Sequence, residues 1–531
     1  MTSRPGLLTI VALLLSAGLL TGCAASPGPA PVVDPTPEPS ATSPTTTTTS
    51  RPPEPVRTSI GVGVTPLLNG LNPHLVSDDT ATVESIADLV LPSTFWRGVM
   101  DTNLLVSAEE IEGPAEQTVR YILSPAAQWS DGNPITGADF IYLWRAMTTT
   151  PGVIDPAGYL KITDIRTSDG GRTVDVDFHQ RVEDWTGLFR HLLPSHLAQA
   201  DGSDFATAYF STIPASGGRY MVANIDRARG MLTLHRNDRF WGEGAAATDV
   251  LLLKEITSVS QGLDLLRTGQ ISYLDVVPSE TSVTAYELLP DTQVRLIDGP
   301  RQLQLSMSTT SELLSEHAAR VELAGLIDVP LIARQAAGRT ADLAVPEHTP
   351  PSGEPPTLLP ELTAGQPLRI AADPADAEAS AAARTLINLL ARSGVAAELV
   401  SSDLIDIAGV RLPAGEVDAV IAWSREDGSR LTAASALLCP PEPVSPRLRN
   451  FSGFCTPEST AALDAALAGE IDPEQTAALV EELKDFEALV VPLLDERRVV
   501  VLGEGIVGPD PDLANWTTGL GAASTWKRQD P

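Results

Sequence analysis

Alternating and helical patterns of apolar residues predict several elements in the chain after residue 58. Residues 172–178, RTVDVDF, alternate strictly and predict a strand with one solvated face. Residues 217–242 contain two strand-like runs around DRARG, which predicts a hairpin. Residues 257–276 combine an amphipathic stretch, Gly269 and the run ISYLDV, which predicts a helix, a stop and a strand.

The stretch QWSDGNPITGADFIYLWRAM, residues 128–147, predicts a capped helix after a polar turn. Thr136 can accept a hydrogen bond from the first helical turn, and Asp139 can reach back to the Thr136 amide. One helical face then carries large apolar side chains at i, i+3, i+4 and i+7 spacing: Phe140, Leu143, Trp144 and Met147. We expect this face in a core rather than in a ligand site, whereas packing does not explain the Ser-Asp-Gly-Asn-Pro turn.

The pattern changes after a Pro-rich segment at 338–366, which predicts a long loop. Strand-like runs at 367–372, 396–400 and 417–423 then alternate with a helical stretch at 376–394. In that helix one face is expected to consist of Leu386, Leu389 and Leu390, with Gly394 as the helix stop. Strands that alternate with helices indicate a partly parallel α/β arrangement.

The N-terminal residues have the order of a lipoprotein signal sequence. Arg4 precedes an apolar run at 7–20, and small residues lead to Cys23. The run is too short for a stable membrane span, and Leu-Thr-Gly-Cys matches the lipobox in which the cysteine is lipidated. We expect an exported chain that Cys23 anchors to the outer face of the cell membrane. Residues 24–57 are mostly Pro, Thr, Ser and Ala, which predicts a disordered tether.

The charge and the motifs of the sequence exclude several classes of function. The chain has 68 acidic and 36 basic residues and a net charge of −32, which excludes nonspecific nucleic-acid binding because few cations could replace the phosphate counterions. It contains no His-Glu-x-x-His pattern, nucleophile elbow or P-loop. The GxGxxG at 503–508 precedes Pro509 rather than a helix, which argues against a dinucleotide site. Asp175 and Asp177 share a strand face and are expected to be solvated. We therefore expect no catalytic residues, cofactor or metal.

Two further cysteines, Cys439 and Cys455, lie in a chain that we expect to be exported. An even pair at this spacing is typical of a disulfide that closes a local loop. A metal site is the alternative, but no histidine lies between or beside the two cysteines.

The motif SDGNPITGADFIYLWRAM resembles the signature of the family 5 extracytoplasmic solute-binding proteins, the oligopeptide- and dipeptide-binding type. Other segments resemble family motifs in the same order: LNPHL, GGRYMVANIDRARGMLTLHRNDRFWG, LRTGQISYLDV, ARVELAGLIDVPLIARQAAG, GEVDAVIAW and NFSGFCTPESTAALDAAL. The resemblance implies an α/β, bilobed, periplasmic-binding-protein-like fold of type II with an inserted third subdomain. Ligands of such proteins bind between the domains, which close by hinge motion. The implied division is a discontinuous lobe I at 58–92, 185–300 and 497–531, an inserted subdomain at 93–184, and lobe II at 301–496.

Within the family, LNPHLVSD, LVLPSTF, PGVIDPAGYLKIT and the cysteine pair resemble a mycobacterial and actinobacterial lipoprotein. This narrower resemblance implies a noncatalytic envelope role. The chain would bind a phosphatidylinositol mannoside, or regulate the synthesis of these lipids and of lipoarabinomannan with a mannosyltransferase as a partner. The alternative is a receptor that delivers peptides or similar solutes to an ABC permease. We expect a monomer.

One segment departs from the family pattern. Peptide binders carry Gly-Trp-x-x-Asp-Tyr-x-Asp-Pro, in which the first Asp holds the peptide ammonium, whereas residues 422–428 are AWSREDG. Glu426 stands at the Asp position beside Arg425, and the Tyr and Asp-Pro are missing, which weakens the peptide hypothesis. Arg425 and Glu426 are candidates for ligand contact, and the alternative is a solvated pair, since an isolated acid–base pair of this kind is more often solvated than bound to a ligand.

Three aromatic or basic residues complete the candidate site. Trp423 matches the family's Trp at a strand end, so the resemblance implies that it lines the cleft, with a core position as the alternative. An indole there can stack on a sugar face or cover an acyl chain. Trp96 and Arg97, in an early loop, are further candidates for ligand contact.

Overall fold

The computed structural model describes residues 57–201, 204–348, 356–442, 445–508, 510–516 and 519–529. The predicted signal sequence with Cys23, and the predicted tether up to residue 56, lie outside the described residues. The strands are β1 (Ser59–Val64), β2 (Phe95–Trp96), β3 (Val99–Met100), β4 (Leu105–Ile111), β5 (Gln117–Leu123), β6 (Ile162–Ser168), β7 (Thr173–Phe178), β8 (Tyr220–Asp226), β9 (Met231–Arg236), β10 (Val250–Glu255), β11 (Tyr273–Val276), β12 (Gln293–Met307), β13 (Leu368–Ala372), β14 (Ala397–Ser401), β15 (Ala419–Arg425), β16 (Val490–Leu502), β17 (Ile506–Val507) and β18 (Lys527–Arg528).

Helices connect these strands and cover the sheets. They are α1 (Ala81–Val90), α2 (Gly137–Thr149), α3 (Ser195–Asp201), α4 (Val259–Arg267), α5 (Ser282–Glu287), α6 (His317–Gly325), α7 (Val329–Ala337), α8 (Leu358–Leu362), α9 (Ala377–Arg392), α10 (Leu404–Asp406), α11 (Arg430–Ala436), α12 (Pro457–Leu467) and α13 (Pro473–Phe486). Helix α8 lies inside the segment 338–366, which the sequence predicted as a loop. The hairpin β8–β9 and the pair α4–β11 confirm the predictions for 217–242 and 257–276.

A ten-stranded sheet forms the centre of the molecule, in the order β14-β13-β15-β12-β16-β11-β1-β10-β9-β8. Strand β1 is parallel to β10 and β11, and β13 is parallel to β14 and β15, whereas the other pairs are antiparallel. The prediction of a partly parallel α/β arrangement is therefore confirmed.

The long strands β12 and β16 join the two halves of this sheet. They have 15 and 13 residues and pair with each other, while β12 also pairs with β15 and β16 also pairs with β11. Their register shifts between Asp298 and Gln302, where the strands pass from one half to the other. A Cβ at Gly299 would lie 2.2 Å from Glu496 Oε2, so a larger residue there would force the Glu496 side chain to move.

A separate four-stranded sheet has the order β4-β5-β7-β6. Strand β7 is as predicted, but the expectation that Asp175 and Asp177 are solvated is wrong, since both are buried. Arginines from the two flanking strands cover them: Arg120 Nε lies 2.7 Å from Asp175 Oδ1, and Arg166 Nε lies 2.7 Å from Asp177 Oδ2. Hydrogen bonds from these guanidinium groups hold the pKa of each carboxyl below its ordinary value.

Side chains of the polar turn before α2, and of the first turn of α2, contact the start of α3. Asp139 Oδ2 accepts a hydrogen bond from the Thr136 amide at 2.9 Å, which completes the predicted capping box. The other oxygen of Asp139 accepts from Ser195 Oγ at 2.7 Å, and Asp131 Oδ2 lies 2.6 Å from His196 Nε2. The Ser-Asp-Gly-Asn-Pro turn therefore fixes the start of α3 against the start of α2.

The predicted core faces are buried with two exceptions. On α2, Phe140, Leu143 and Met147 are buried, whereas Trp144 is half-buried and donates Nε1–H to the Tyr159 carbonyl at 3.1 Å. On α9, the buried leucines are Leu386 and Leu390, and Leu389 is half-buried. Gly394 follows α9 with a φ of 78°, as expected for a helix stop.

Separate apolar cores underlie the two halves of the central sheet. One is shared by β1, β8–β10 and the four-stranded sheet, and another lies between β12, β13, β15 and helices α6, α7 and α9. Residues Val56–Pro531 form one compact unit, and the exact lobe boundaries given above stay a prediction.

Candidate functional site

A cavity of about 980 Å³ opens between the two halves of the central sheet. Its floor includes residues of β11, β12 and β16, and its walls include α1, the β2–β3 hairpin and the segment that follows β15. This volume is in the upper part of the range found for small-molecule sites. The place and size of the cavity make it the candidate ligand site.

Charged groups of both signs line this cavity. They are nine carboxylates, Asp78, Asp79, Glu84, Asp88, Asp155, Asp184, Asp275, Asp298 and Asp427, and five guanidinium groups, Arg97, Arg190, Arg295, Arg425 and Arg498. Aromatic rings lie among them, including Trp96 and Trp516. The carboxylates outnumber the guanidinium groups, and flat apolar rings lie beside both, so the lining suits a polar ligand with apolar faces better than a ligand with a high negative charge.

Arg425, at the end of β15, binds two carboxylates near the start of α1. Its Nε lies 3.3 Å from Asp79 Oδ2, its Nη1 lies 3.3 Å from Glu84 Oε1, and its Nη2 contacts both carboxylates. Burial opposes the charge on Glu84, but Arg425 and Arg190 outweigh this effect and lower the pKa of Glu84 to about 2. We call Arg425, Asp79 and Glu84 the latch, because together they join β15 to the α1 region.

Glu426 points to a different set of partners. Its carboxylate accepts hydrogen bonds from Lys484 Nζ at 3.0 Å and Gln304 Nε2 at 2.8 Å. Burial opposes its charge, but the Lys484 ammonium outweighs this effect and lowers the Glu426 pKa. The sequence led us to expect that Arg425 and Glu426 form a solvated pair, and this expectation is wrong. Within the described residues, the two side chains form no hydrogen bond with each other.

Trp423 lies outside the large cavity. Its ring packs against the core around α9, and the Arg301 guanidinium lies 5.1 Å from the ring centroid. Trp423 and Lys484 border a separate cavity of about 30 Å³, which has room for about one water molecule. The structure therefore separates Trp423 and Glu426 from the candidate ligand site, and their predicted ligand contacts stay predictions.

Trp96 and Arg97 lie on the wall of the large cavity. Arg97 and Gly98 form the two-residue turn of the β2–β3 hairpin, with φ angles of 50° and 78°, as a type I′ turn requires. The Arg97 guanidinium lies 5.2 Å from the centroid of the Trp96 ring. This turn presents an indole and a cation to the cavity.

The sequence did not single out the residues with unused hydrogen-bonding capacity in this cavity. Among the described residues, five buried polar atoms of its lining have no hydrogen-bond partner: Asp155 Oδ1, Arg190 Nε, Tyr273 OH, Asp275 Oδ1 and Arg498 Nε. An unpaired buried polar group costs about 1–3 kcal/mol, so a ligand that reaches these atoms can recover that free energy. A usable signal was a charged residue within or beside an otherwise apolar strand run, Asp275 in YLDV and Arg498 in RRVVVL.

Cys439 and Cys455 form a disulfide, with their Cα atoms 5.1 Å apart. Within the described ranges, no group of three or more His, Cys, Asp or Glu residues is arranged to hold a metal ion. A search of the same residues finds no helix long and apolar enough to cross a membrane.

Two halves of one sheet are joined by two long strands, and a polar cavity lies between them. This architecture defines an extracellular solute-binding protein. Residues 106–384 match the model of the bacterial extracellular solute-binding proteins, family 5 (middle). This match covers more than half of the chain, which therefore belongs to that family. The type II periplasmic-binding-protein fold predicted from the sequence is confirmed.

Similar proteins are found over nearly the whole chain. It is 28% identical to the "probable monoacyl phosphatidylinositol tetramannoside-binding protein LpqW" of Mycobacterium tuberculosis, over 93% of each chain. The periplasmic EDTA-binding protein EppA has a similar structure, with a TM-score of 0.63 and 22% identity over 90% of this chain and 98% of that one. The oligopeptide-binding protein AppA of Bacillus subtilis, in complex with a nonapeptide, has a TM-score of 0.65 and 13% identity over 89% and 99%. The last two similarities concern the fold alone.

Proposed function

We propose that this protein is a noncatalytic lipoprotein of the cell envelope that binds a phosphatidylinositol mannoside, or regulates the synthesis of these lipids and of lipoarabinomannan. The anchor is Cys23, whose lipobox is the support for membrane attachment. The similarity to LpqW over 93% of both chains supports the ligand class. In the regulatory form of the proposal the partner is a mannosyltransferase.

The observation that supports ligand binding most strongly is the lining of the 980 Å³ cavity. A mannoside is neutral, and each of its hydroxyls both donates and accepts hydrogen bonds, so it matches a wall of mixed carboxylates and guanidinium groups. Its ring has apolar C–H faces, which suit the exposed face of Trp96. The phosphate of the lipid can use one of the five arginines.

A second candidate function is the peptide receptor of an ABC importer. Asp155 and Asp427 both line the cavity, and an ammonium group between them would resolve an unfavourable arrangement. Burial and the neighbouring charge of Asp427 raise the pKa of Asp155 to about 6. Against this function, Glu426, which stands at the ammonium-binding position of the family motif, is already neutralised by Lys484.

Thermal unfolding of the full-length protein distinguishes these functions. A ligand at 100 times its Kd should stabilise the protein by about 2.7 kcal/mol, which raises Tm by about 3 °C for a folded unit of this size. We expect this shift with purified phosphatidylinositol mannosides and none with a peptide mixture. A shift with peptides alone would contradict the proposal and support the importer, and no shift with either would contradict ligand binding.

Two tryptophan variants locate the binding site in the same assay. Trp96→Ala removes an indole from the cavity wall, whereas Trp423→Ala removes one outside the cavity. We expect the mannoside-induced shift to fall in Trp96→Ala and to stay unchanged in Trp423→Ala. The reverse result would move the site to the family position predicted from the sequence.

A further inference from the structure

The floor of the cavity contains a cluster of three polar side chains that we call the floor triad: Tyr273 and Asp275 on β11, and Arg498 on β16. Tyr273 is paired with Leu502 and Asp275 with Val500 across these antiparallel strands. Residues 498, 500 and 502 alternate along β16 and share one face, so all three side chains of the triad lie on the same face of the sheet. All three line the cavity.

The floor triad has an unusual number of unused hydrogen-bonding positions. Tyr273 is 0% exposed and Asp275 is 8% exposed, yet within the part of the chain that the structure describes Tyr273 OH, Asp275 Oδ1 and Arg498 Nε have no partner. Burial raises the pKa of both Tyr273 and Asp275. Because most buried polar groups in folded proteins are paired, three unpaired atoms in one cluster indicate a place where a ligand supplies the partners.

Gly519 borders the cavity beside the triad. A Cβ at this position would stand 3.1 Å from Tyr273 OH and 3.7 Å from Asp275 Oδ2. Glycine at position 519 therefore leaves Tyr273 OH and the Arg498-bound oxygen of Asp275 without a side chain over them. Trp516 borders the same region, with its ring 5.8 Å from the Tyr273 ring and nearly parallel to it at 12°.

The charges of the triad select the class of ligand. Arg498 Nη1 donates to Asp275 Oδ2 at 3.0 Å, so the carboxylate and the guanidinium neutralise each other. Arg295, a further cation of the cavity lining, directs its Nη1 to the Ala514 carbonyl at 2.9 Å. A charged ligand group would have to compete with the Asp275–Arg498 pair. A neutral hydroxyl can instead accept from Arg498 Nε and donate to Asp275 Oδ1 without breaking it.

We infer that the floor triad is a subsite for two neighbouring hydroxyls of a neutral polyol ring, such as a hexose or an inositol. One hydroxyl bridges Arg498 Nε and the free oxygen of Asp275, and its neighbour accepts from Tyr273 OH. The polyol ring then lies against Trp516, which lines the same cavity. This inference rests on the proposed function, because it assigns the sugar or inositol part of the glycolipid to a defined position.

The test uses a matched pair of tyrosine variants in the full-length protein. Tyr273→Phe removes a hydroxyl that has no partner among the residues that the structure describes, whereas Tyr220→Phe removes a buried hydroxyl that donates to the Thr248 carbonyl at 2.9 Å and lies outside the cavity lining. Titration calorimetry measures the Kd for myo-inositol, methyl α-mannoside, a mannose tetrasaccharide, inorganic phosphate and purified phosphatidylinositol mannoside. Thermal unfolding without ligand measures stability.

We expect Tyr273→Phe to raise the Kd for at least one polyol about fivefold, the effect of one neutral hydrogen bond, without lowering the Tm of the empty protein. Tyr220→Phe should lower Tm and leave the Kd unchanged. Unaltered polyol and glycolipid binding in Tyr273→Phe would overturn the subsite and leave the proposed function in place. Phosphate binding that depends on Tyr273 would overturn it in favour of an anion site.

The remaining outcomes separate the two proposals. A Tyr273-dependent Kd for inositol or mannoside, with no binding of the glycolipid, would support the subsite and contradict the proposed function. No binding of any polyol or of the glycolipid would contradict both.

Discussion

The latch formed by Arg425, Asp79 and Glu84 offers a sharp test of the electrostatics of the cavity. Arg425→Gln keeps a hydrogen-bonding side chain but removes the charge that two carboxylates share. Lowering the Glu84 pKa from 4.5 to about 2 corresponds to about 3 kcal/mol. Arg190 contributes to this shift as well, and the Glu84 side chain is 30% exposed, so after solvent screening we assign about 2 kcal/mol to Arg425. With the loss of the Asp79 contact, we expect Arg425→Gln to lower the free energy of unfolding by about 3 kcal/mol at pH 7.

The pH dependence of this loss gives a second readout. A carboxyl with a depressed folded-state pKa stabilises the protein above its unfolded pKa, here 4.5, and that stabilisation disappears as the pH falls toward the folded value of about 2. The difference between wild type and Arg425→Gln should therefore be constant above about pH 5.5 and shrink below pH 4.5. Urea unfolding at steps between pH 7 and pH 3 measures it.

An exposed ion pair serves as the control for this experiment. Arg267 and Asp264 are paired, but their side chains are 67% and 64% exposed, so Arg267→Gln should change the unfolding free energy by less than about 0.5 kcal/mol at every pH. Our account of the latch is refuted if Arg425→Gln costs no more than Arg267→Gln. It is also refuted if the cost at pH 3 equals the cost at pH 7.

Three further substitutions test other parts of the structure. Lys484→Met leaves the Glu426 carboxylate without its cation and should cost about 2 kcal/mol in urea unfolding at pH 7; an unchanged midpoint would show that the pair is not stabilising. Replacing Cys439 and Cys455 together by Ser opens a loop with a sequence separation of 16 and should cost about 3 kcal/mol, measured against the oxidised protein; a loss below 1 kcal/mol would contradict this. Gly61→Ala brings a Cβ within 2.0 Å of the Gln270 carbonyl oxygen and should lower Tm, with a loss of at least about 2 kcal/mol; a wild-type Tm would contradict the close approach of β1 to the segment between α4 and β11.

Local signals in the sequence predict the elements well. The capping box of α2 depends on Thr136 and Asp139, three residues apart, and the predicted helical face is largely buried. The alternation of 172–178 depends on neighbouring residues in the same way and predicts β7. Family motifs, which extend along most of the chain, predict the fold.

The candidate site depends on contacts between distant residues, which one sequence does not show. Arg425 meets Asp79 across 346 positions of the chain, and Arg498 meets Asp275 across 223. Asp175 looked solvated because Arg120, on a different strand 55 residues away, is not adjacent in the sequence. The strand that carries Trp423 and ends just before Glu426 was placed correctly, but the sequence does not show the partners that determine where these side chains point.

The most direct test of the central claim, that the cavity between the sheet halves binds the ligand, is fluorine NMR of the full-length protein labelled with 5-fluorotryptophan. The chain has eight tryptophans, and single Trp→Phe variants assign their resonances. Trp96 and Trp516 line the cavity, whereas Trp423 and Trp129 do not. On adding phosphatidylinositol mannoside, we predict the largest shifts for Trp96 and Trp516 and small shifts for Trp423 and Trp129. A large shift of Trp423 with unchanged Trp96 and Trp516, or no shift of any resonance, would contradict the account.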